Sequence, residues 1–232
     1  MNATIDWNGT PVQLEYETLG PGIVVYKNSL KQEWNLVNRI EAALAKEGTR
    51  FAWKDARVGF ESLNTEHRRC KDFKLAPRLL GEEDEYSKDL FEVDKLITEA
   101  LEQCLQHYST LYRCGIMKFH EVNSVVRYGM GEYFNEHSDD GHSYRCVVSA
   151  VGYPNDDYEG GELTFSNFNV KYKATAGDFV IMPSNYVYAH KAEPILDDKF
   201  KYAFVIMNDR NAYAHRDANL MYASDEEKAK YL

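Results

Sequence analysis

Between residue 115 and residue 208, apolar residues occur in short runs that are rich in β-branched and aromatic side chains. The runs are GIMKFHEV, SVVRY, RCVVSAVGY, GELTF, VKYKA, DFVIM, YVYAHKAEP and FKYAFVIMN. Turn-forming clusters such as PNDDYEGG, TAGD and PSN separate them. This pattern favours an all-β sandwich or barrel over alternating βα units. The stretch GIVVYKN near residue 25 adds one more predicted strand.

Two segments of the first half have helical spacing instead. In residues 29–47, apolar side chains recur every three or four positions, and Ser29 with Gln32 has the form of a capping box. Gly48 supplies a stop signal. Residues 84–112 predict a second, longer helix. The apolar stripes indicate core packing, so the predicted fold class is mostly β with flanking helices (α+β).

The chain length of 232 residues fits one domain, and a hydrophobic content of 44% is enough for a sizeable core. We therefore expect a single domain over residues 1–232. Residues 1–114 would supply helical support and early strands, and residues 115–210 the β core. The charged tail at 211–232 is expected to be a short helix or a frayed end.

Charge and composition disfavour several classes of function. A net charge of −10 argues against non-specific nucleic-acid binding, which depends on lysine and arginine neutralising phosphates. No apolar run approaches the roughly 20 residues of a membrane span. The four cysteines show no CxxC spacing and are expected to be reduced thiols. With no secretory signal at the start, we predict a cytoplasmic protein that binds neither nucleic acid nor membrane.

Two His-x-Asp pairs are candidate metal ligands, His137-Ser138-Asp139 and His215-Arg216-Asp217. With 7 histidines and 37 acidic residues in 232 positions, about one His-x-acid pair is expected by chance. Composition alone therefore cannot choose between them, and the choice depends on a third ligand elsewhere in the chain.

A redox-active Fe(II) oxygenase site needs two imidazoles and one carboxylate, with the other positions open. No histidine follows Asp217, whereas His142, His190 and His215 follow Asp139. His142 is too near in sequence to cross a barrel, while His190 sits in the strand-like run YVYAHKAEP 51 residues beyond Asp139. The predicted set is His137, Asp139 and His190. The alternative is that His190 is an ordinary histidine on a half-buried strand.

Two lysines follow this histidine. Lys199 and Lys201 lie 9 and 11 residues after His190, and Lys201 stands in the otherwise apolar run FKYAFVIMN. A buried lysine is costly unless it is paired, and a dicarboxylate co-substrate beside the metal would pair it. The alternative is that Lys201 points outward, because the neighbouring aromatic residues share the opposite face of the strand.

Four motifs in order resemble those of the Fe(II)/2-oxoglutarate dioxygenases of the prolyl 4-hydroxylase type. The motifs are RYGMGEYFNEHSD, GYPNDDYEGGELTF, KATAGDFVIMPS and HKAEPILDDKFKYAF. The resemblance covers roughly residues 120–208 and, more loosely, the helix starting near residue 29. It implies a double-stranded β-helix core of the jelly-roll or cupin-like type. It also implies that Fe(II), 2-oxoglutarate and O2 are used, with ascorbate as a candidate reductant.

Residues carry over from the family position by position. His137, Asp139 and His190 match the iron ligands. Lys201 matches the basic residue that binds the distal carboxylate of 2-oxoglutarate, and Lys199 is the alternative because DDKFK replaces the family's glycine turn.

Two tyrosines also match family positions near the co-substrate. Tyr153 matches a residue that shares the distal carboxylate, and Tyr128 matches one near the keto-acid end.

The resemblance implies hydroxylation of an unactivated C–H bond with release of succinate and CO2, with a prolyl residue in a peptide or protein as the expected substrate. Trp53, Arg68 and Arg69 lie in the irregular stretch RFAWKDARVGFESLNTEHRRC and are candidate substrate contacts. The alternatives are an oxygenase acting on another side chain or a small molecule, and a non-catalytic cupin-like module that binds metal or ligand. The sequence predicts no oligomeric state.

Overall fold

The computed structural model describes residues 1–49, 51–58, 63–75, 87–140 and 146–211. They form two antiparallel sheets and two α-helices, α1 Leu36–Leu44 and α2 Lys88–Tyr112. The early strands are β1 Asn2–Trp7, β2 Thr10–Gly20, β3 Ile23–Lys27, β4 Lys54–Asp55, β5 Arg68–Arg69 and β6 Lys71–Leu75. The later strands are β7 Phe119–His120, β8 Asn123–Tyr128, β9 Tyr133–His137, β10 Val148–Gly152, β11 Leu163–Phe165, β12 Val170–Tyr172, β13 Phe179–Pro183, β14 His190–Ala192 and β15 Lys201–Asp209.

The larger sheet has the strand order β1-β2-β3-β13-β10-β15-β8-β6-β4, with β7 also paired to β15. The smaller sheet has the order β12-β11-β14-β9-β5. Strand β3 coincides with the GIVVYKN segment. The first half of the chain therefore contributes strands to both sheets as well as the helices.

Both faces of the larger sheet are buried, which explains why its strands read as nearly continuous apolar runs. In β15, Phe204 and Ile206 pack in the core that contains the helices. Ala203 faces the other way, into the core shared with the smaller sheet. Because side chains alternate along a strand, Lys201 lies on the same inner side as Ala203, and it is 2% exposed.

The first helix is shorter than the sequence predicts. A 3-10 turn occupies Gln32–Trp34, and Asn35 then adopts a left-handed conformation with φ of 50° before α1 begins. The Ser29 hydroxyl accepts a hydrogen bond from the Cys104 thiol. The predicted capping box therefore does not start this helix, because the backbone breaks at Asn35.

The second helix agrees with its prediction over its described length. Its buried face carries Leu90, Val93, Ile97, Leu101 and Cys104. Neither described helix is long and apolar enough to cross a membrane.

Some predicted features lie outside the described residues. These are the tail from residue 212 onward, with His215 and Asp217, and the segment that contains His142.

One buried carboxyl fastens α2 to the larger sheet. Asp94 is 6% exposed, and its Oδ1 accepts a hydrogen bond from the Asn123 side-chain amide at the start of β8. Burial raises the pKa of Asp94 to about 6. The protonated form is thus favoured in the folded state, so its stabilising contribution is complete below about pH 4 and is lost as the pH rises through about 6.

We expect Asp94→Asn to raise the free energy of unfolding by about 1–3 kcal/mol at neutral pH, because the amide keeps an acceptor oxygen without the buried charge. Denaturant unfolding near pH 7 and near pH 4 measures this, and the gain should vanish at the lower pH. Glu99→Gln, an exposed carboxyl on the same helix, is the matched control and should change little. If Asp94→Asn and Glu99→Gln changed the free energy of unfolding equally, the raised pKa assigned to Asp94 would be wrong.

Candidate functional site

Two imidazoles and one carboxylate converge at one end of the smaller sheet. The Nε2 atom of His137 lies 3.6 Å from Oδ1 of Asp139, and Nε2 of His190 lies 3.8 Å from Oδ2 of the same carboxylate. One donor atom from each residue lies within 4.8 Å of the others. Among the described residues, these form the one group of three potential metal ligands.

Pairing between β9 and β14 brings the two histidines together. His190 stands directly opposite His137 in the antiparallel register. Asp139 follows two residues after the end of β9, and the next backbone amide, that of Asp140, donates to the carbonyl of Ser184. This bond holds the turn so that the Asp139 side chain swings back toward the histidines.

Hydrogen bonds fix which nitrogen of each imidazole faces the group. Nδ1 of His137 lies 2.8 Å from the carbonyl oxygen of Asn135, and Nδ1 of His190 lies 3.1 Å from that of Tyr188. A carbonyl only accepts, so Nδ1 carries the proton and Nε2 keeps its lone pair. Burial and the neighbouring His190 lower the pKa of His137. It is therefore neutral near pH 7, the form that binds metals.

A stack of side chains supports the first histidine. The ring of Phe134 lies parallel to that of His137, with centroids 3.6 Å apart and an interplanar angle of 12°. The guanidinium of Arg68 lies 4.7 Å from the centroid of the Phe134 ring. Strand β5 places this arginine beside β9, because Arg68 pairs with Phe134. The stack limits rotation of the imidazole.

The three potential ligands border a cavity of about 490 Å³ between the two sheets. Lys201 lies within its lining, and Nζ donates to the carbonyl oxygen of Gly161 at 2.6 Å. In the described part of the chain, no carboxylate lies within ion-pair distance of this ammonium group. Burial, aided by Lys173, lowers the pKa of Lys201 to about 7, while Glu162 and Cys70 act in the opposite direction.

Two phenol rings enclose the lysine. Nζ of Lys201 lies 5.2 Å from the ring centroid of Tyr128 and 5.3 Å from that of Tyr153. Both tyrosines line the cavity, and burial raises the pKa of each well above its usual range. They are neutral hydrogen-bonding groups at any physiological pH.

The remaining candidate residues separate into two groups. Arg68 lines the cavity. Lys199 is exposed outside it, 3.9 Å from Asp157. Trp53 does not line it and packs instead against Phe73. The guanidinium of Arg69 lies over the ring of Tyr133 at 6.0 Å, also away from the cavity.

The PNDDYEGG cluster predicts a turn at Gly160-Gly161 but not its contact with the lysine. Both glycines have positive φ, +71° and +66°. The turn presents the Gly161 carbonyl to the buried ammonium group. The pair of adjacent glycines before GELTF was the available signal, since such a turn lets backbone approach a side chain closely.

The sequence profile of the 2OG-Fe(II) oxygenase superfamily matches residues 123–207, from the start of β8 into β15. This segment contains His137, Asp139, His190 and Lys201. Residues 123–207 belong to the 2OG-Fe(II) oxygenase superfamily. Oxygenases of this superfamily use Fe(II), 2-oxoglutarate and O2. No curated protein matches the chain by sequence.

Solved oxygenase structures share the fold. A prolyl hydroxylase from Trichoplax adhaerens, in complex with a hypoxia inducible factor peptide fragment, has a TM-score of 0.60 at 13% identity, covering 88% of each chain. A Pseudomonas putida prolyl-4-hydroxylase has a TM-score of 0.58 at 16% identity, over 82% of this chain and 94% of its own.

A third similar structure is the viral collagen prolyl hydroxylase of Paramecium Bursaria Chlorella virus-1 in its 2OG complex. It has a TM-score of 0.55 at 17% identity, over 82% of this chain and 96% of its own. The two facing antiparallel sheets are therefore a double-stranded β-helix, as the sequence predicts.

The donor set fits an oxygenase iron. Two Nε2 atoms and one carboxylate are the ligands that a non-haem Fe(II) site uses, with open positions on the other side. Both ring orientations are already set by hydrogen bonds from Nδ1, as is usual for ligating histidines. The Lys201 ammonium group, which has no carboxylate partner among the described residues, fits a carboxylate of 2-oxoglutarate.

Gly161 lets the turn approach Lys201. A Cβ atom there would lie 2.5 Å from Cδ1 of Ile195 and 3.1 Å from Cδ of Lys201. We expect Gly161→Ala to lower the free energy of unfolding by about 2–4 kcal/mol, through positive-φ strain and overpacking.

Gly131→Ala is the matched control, because Gly131 has φ of +71° with nothing within 4 Å of the added Cβ. Its loss should be about 1 kcal/mol, from backbone strain alone. Denaturant unfolding of both variants measures the difference. Equal losses would show that the space around Gly161 is not limiting.

Proposed function

We propose that this protein is an Fe(II)- and 2-oxoglutarate-dependent dioxygenase that hydroxylates a prolyl residue in a peptide or protein. The observation that carries the proposal is the cavity itself. Two imidazoles and a carboxylate converge on one side of it, and a buried lysine without a carboxylate partner among the described residues lies within its lining. The family match adds the reaction type.

In this proposal, His137, Asp139 and His190 hold Fe(II). Bound iron and 2-oxoglutarate supply the oxidising chemistry, in which decarboxylation to succinate and CO2 accompanies hydroxylation of the substrate. All three side chains border the cavity, so a metal that they held would be accessible there to the co-substrate and O2. The hydrogen bonds at both Nδ1 atoms hold the imidazoles in place, so little reorganisation is needed on binding.

Lys201 binds the distal carboxylate of 2-oxoglutarate in the same proposal. Its buried ammonium group would exchange one neutral carbonyl partner, Gly161, for an anion. A charge-assisted hydrogen bond of this kind is about twice as strong as a neutral one. Tyr153 and Tyr128 flank the same ammonium group, and both border the space that the co-substrate would occupy.

The assignment of a prolyl peptide rests on similarity of fold. The Trichoplax structure is a prolyl hydroxylase with a bound peptide fragment, and all three similar structures are prolyl hydroxylases. Arg68 is the one initial substrate-contact candidate that lines the cavity, and it stacks on Phe134 beside the proposed iron ligand. Of the three candidate substrate contacts, it is therefore the one placed to meet a substrate near the metal.

The proposal is tested by two readouts on the same protein. Anaerobic titration with Fe(II) and 2-oxoglutarate should give a weak visible charge-transfer band. Incubation in air with proline-containing peptides should convert 2-oxoglutarate to succinate and add the mass of one oxygen atom to a peptide. His137→Ala should abolish the band and the turnover, since it removes one of three ligands. Turnover is compared with and without ascorbate, whose role rests on the sequence resemblance.

His107→Gln is the matched control, because His107 contacts Tyr26 and Tyr16 on α2's side of the molecule. It should retain both signals. If His137→Ala leaves the band and turnover intact, the assignment is wrong. Succinate formation with no prolyl peptide modified would favour another side chain or a small molecule as substrate. If the wild type itself shows neither the charge-transfer band nor turnover, the protein would be a non-catalytic binding module.

The pKa of Lys201, lowered to about 7 by burial, predicts how 2-oxoglutarate binding depends on pH. Above this value the free protein holds a neutral lysine, so binding an anion must draw a proton from solution. The affinity should then fall by up to about ten-fold per pH unit above 7, until the pKa of the complex is reached.

Calorimetry near pH 8 in buffers of different ionisation enthalpy, with redox-inactive Mn(II) in place of iron, measures this proton uptake. Lys201→Met should lose both the proton uptake and most of the affinity. Lys199→Met should behave as wild type, because Lys199 lies outside the cavity. If 2-oxoglutarate binding is independent of pH and takes up no proton, Lys201 does not bind the co-substrate.

A further inference from the structure

A carboxylate on α1 gathers three hydrogen bonds on the side of the larger sheet that faces away from the cavity. Oε1 of Glu41 accepts from the hydroxyl of Tyr202 at 2.6 Å and from Nη1 of Arg127 at 2.9 Å. Oε2 accepts from the indole of Trp53 at 3.4 Å. Glu41 therefore joins α1 to β8, to β15 and to the segment before β4.

The two strand residues that it binds are the immediate neighbours of cavity residues. Arg127 pairs with Tyr202, and Tyr128 pairs with Lys201, in adjacent positions of the β8–β15 register. Neighbouring side chains of a strand point to opposite faces. Whatever fixes Arg127 and Tyr202 on one face thus fixes the backbone from which Tyr128 and Lys201 project on the other.

We propose that Glu41 is a positioning residue for 2-oxoglutarate, holding the Lys201–Tyr128 pair in place through Tyr202 and Arg127. The inference rests on the proposed function, since it takes Lys201 as the group that binds the co-substrate. Glu41 does not line the cavity, so its effect is on binding geometry and not on chemistry.

Packing around Arg127 makes this arrangement stiff. Its guanidinium lies between two aromatic rings, 4.5 Å from the centroid of Trp53 and 4.5 Å from that of Phe200. Phe200 immediately precedes Lys201 in the chain. The stack and the Glu41 hydrogen bonds together restrain both residues that flank the lysine.

A second contact acts directly on the backbone at this position. The side-chain amide of Asn155 donates to the carbonyl of Phe200 at 2.8 Å and accepts from the backbone amide of Tyr202 at 2.9 Å. The chain on both sides of Lys201 is therefore clamped where β15 begins. Because the backbone is held there, a displaced Tyr202 side chain would move Lys201 by rotating the strand and not by fraying its end.

The network touches the larger sheet alone, whereas His137 and His190 lie on β9 and β14 of the smaller sheet. Loss of the network should weaken binding of 2-oxoglutarate and leave metal binding unchanged. This separation distinguishes positioning from a general loss of structure, which would weaken both.

The test measures dissociation constants for Mn(II) and, on the Mn(II)-loaded full chain, for 2-oxoglutarate by calorimetry. Glu41→Ala and Tyr202→Phe should each weaken 2-oxoglutarate binding by about five-fold or more, with Mn(II) affinity within about two-fold of wild type. The double variant should bind as weakly as Glu41→Ala alone, because both changes remove the same hydrogen bond. Glu41→Gln keeps an acceptor oxygen and should recover most of the affinity.

Arg39→Ala is the matched control. Arg39 also ties α1 to the rest of the protein, with Nη2 2.6 Å from Oδ1 of Asp89 on α2, but it does not reach β8 or β15. It should lower thermal stability without changing the affinity for 2-oxoglutarate. Equal losses of affinity in Arg39→Ala and Glu41→Ala would overturn the proposal, since docking of the helix would then explain both.

The same measurements separate this inference from the function on which it rests. If wild type binds 2-oxoglutarate and Tyr202→Phe binds it equally well, the positioning role is overturned and the proposed function stands. If wild type shows no saturable binding of 2-oxoglutarate, the proposed function fails, and the role of Glu41 falls with it.

Discussion

The enclosed ammonium group of Lys201 is the constraint on which the rest of the site depends. A buried charge without a counter-charge is unfavourable, yet the packing of β15 leaves this lysine nowhere else to go. Phe204 and Ile206 must face the helices to complete the larger core, and a slip by one residue would turn every side chain of the strand to the wrong face. The apolar residues that fix the register therefore also force the charge inward. Its unfavourable burial is relieved only in part by the Gly161 carbonyl, so an anion that enters the cavity gains a partner that is already in position.

The two faces of the larger sheet divide stability from function. The face toward the helices carries large side chains such as Phe179 and Phe204 and is filled. The inner face carries smaller ones at the cavity, among them Val151 and Ala203, and the space they leave is the cavity itself. Rigidity on the filled face therefore positions groups on the open one, which is how a carboxylate such as Glu41 can influence a site that it does not touch.

Much of the core fold and of the site could be predicted from the sequence, because the short aromatic runs and the order of the motifs can be recognised without knowing how the chain packs. The details that failed depend on tertiary contacts. The start of α1 was misplaced because Asn35 adopts a left-handed conformation that no apolar periodicity reveals. Strands β4 and β5 have two residues each, too few for an alternating pattern. Spacing matches Lys201 to the co-substrate and leaves Lys199 as the alternative, because the inner face of β15 is not visible in the sequence; nor does the sequence reveal that Trp53 packs behind the sheet.

The two histidines illustrate how strand geometry prepares a metal site before any metal arrives. In both, Nδ1 meets the carbonyl oxygen of the residue two positions earlier, Asn135 for His137 and Tyr188 for His190. Each strand thus orients its own imidazole through a local contact that needs no other element. The cross-strand register then brings the two Nε2 atoms to the same carboxylate. Because burial keeps His137 neutral, a cation entering the site need not displace a proton from it. Desolvation acts at both ends of the cavity: it keeps His137 neutral at one end, and at the other it lowers the pKa of Lys201 to about 7, so the charged form of the lysine needs an anionic partner.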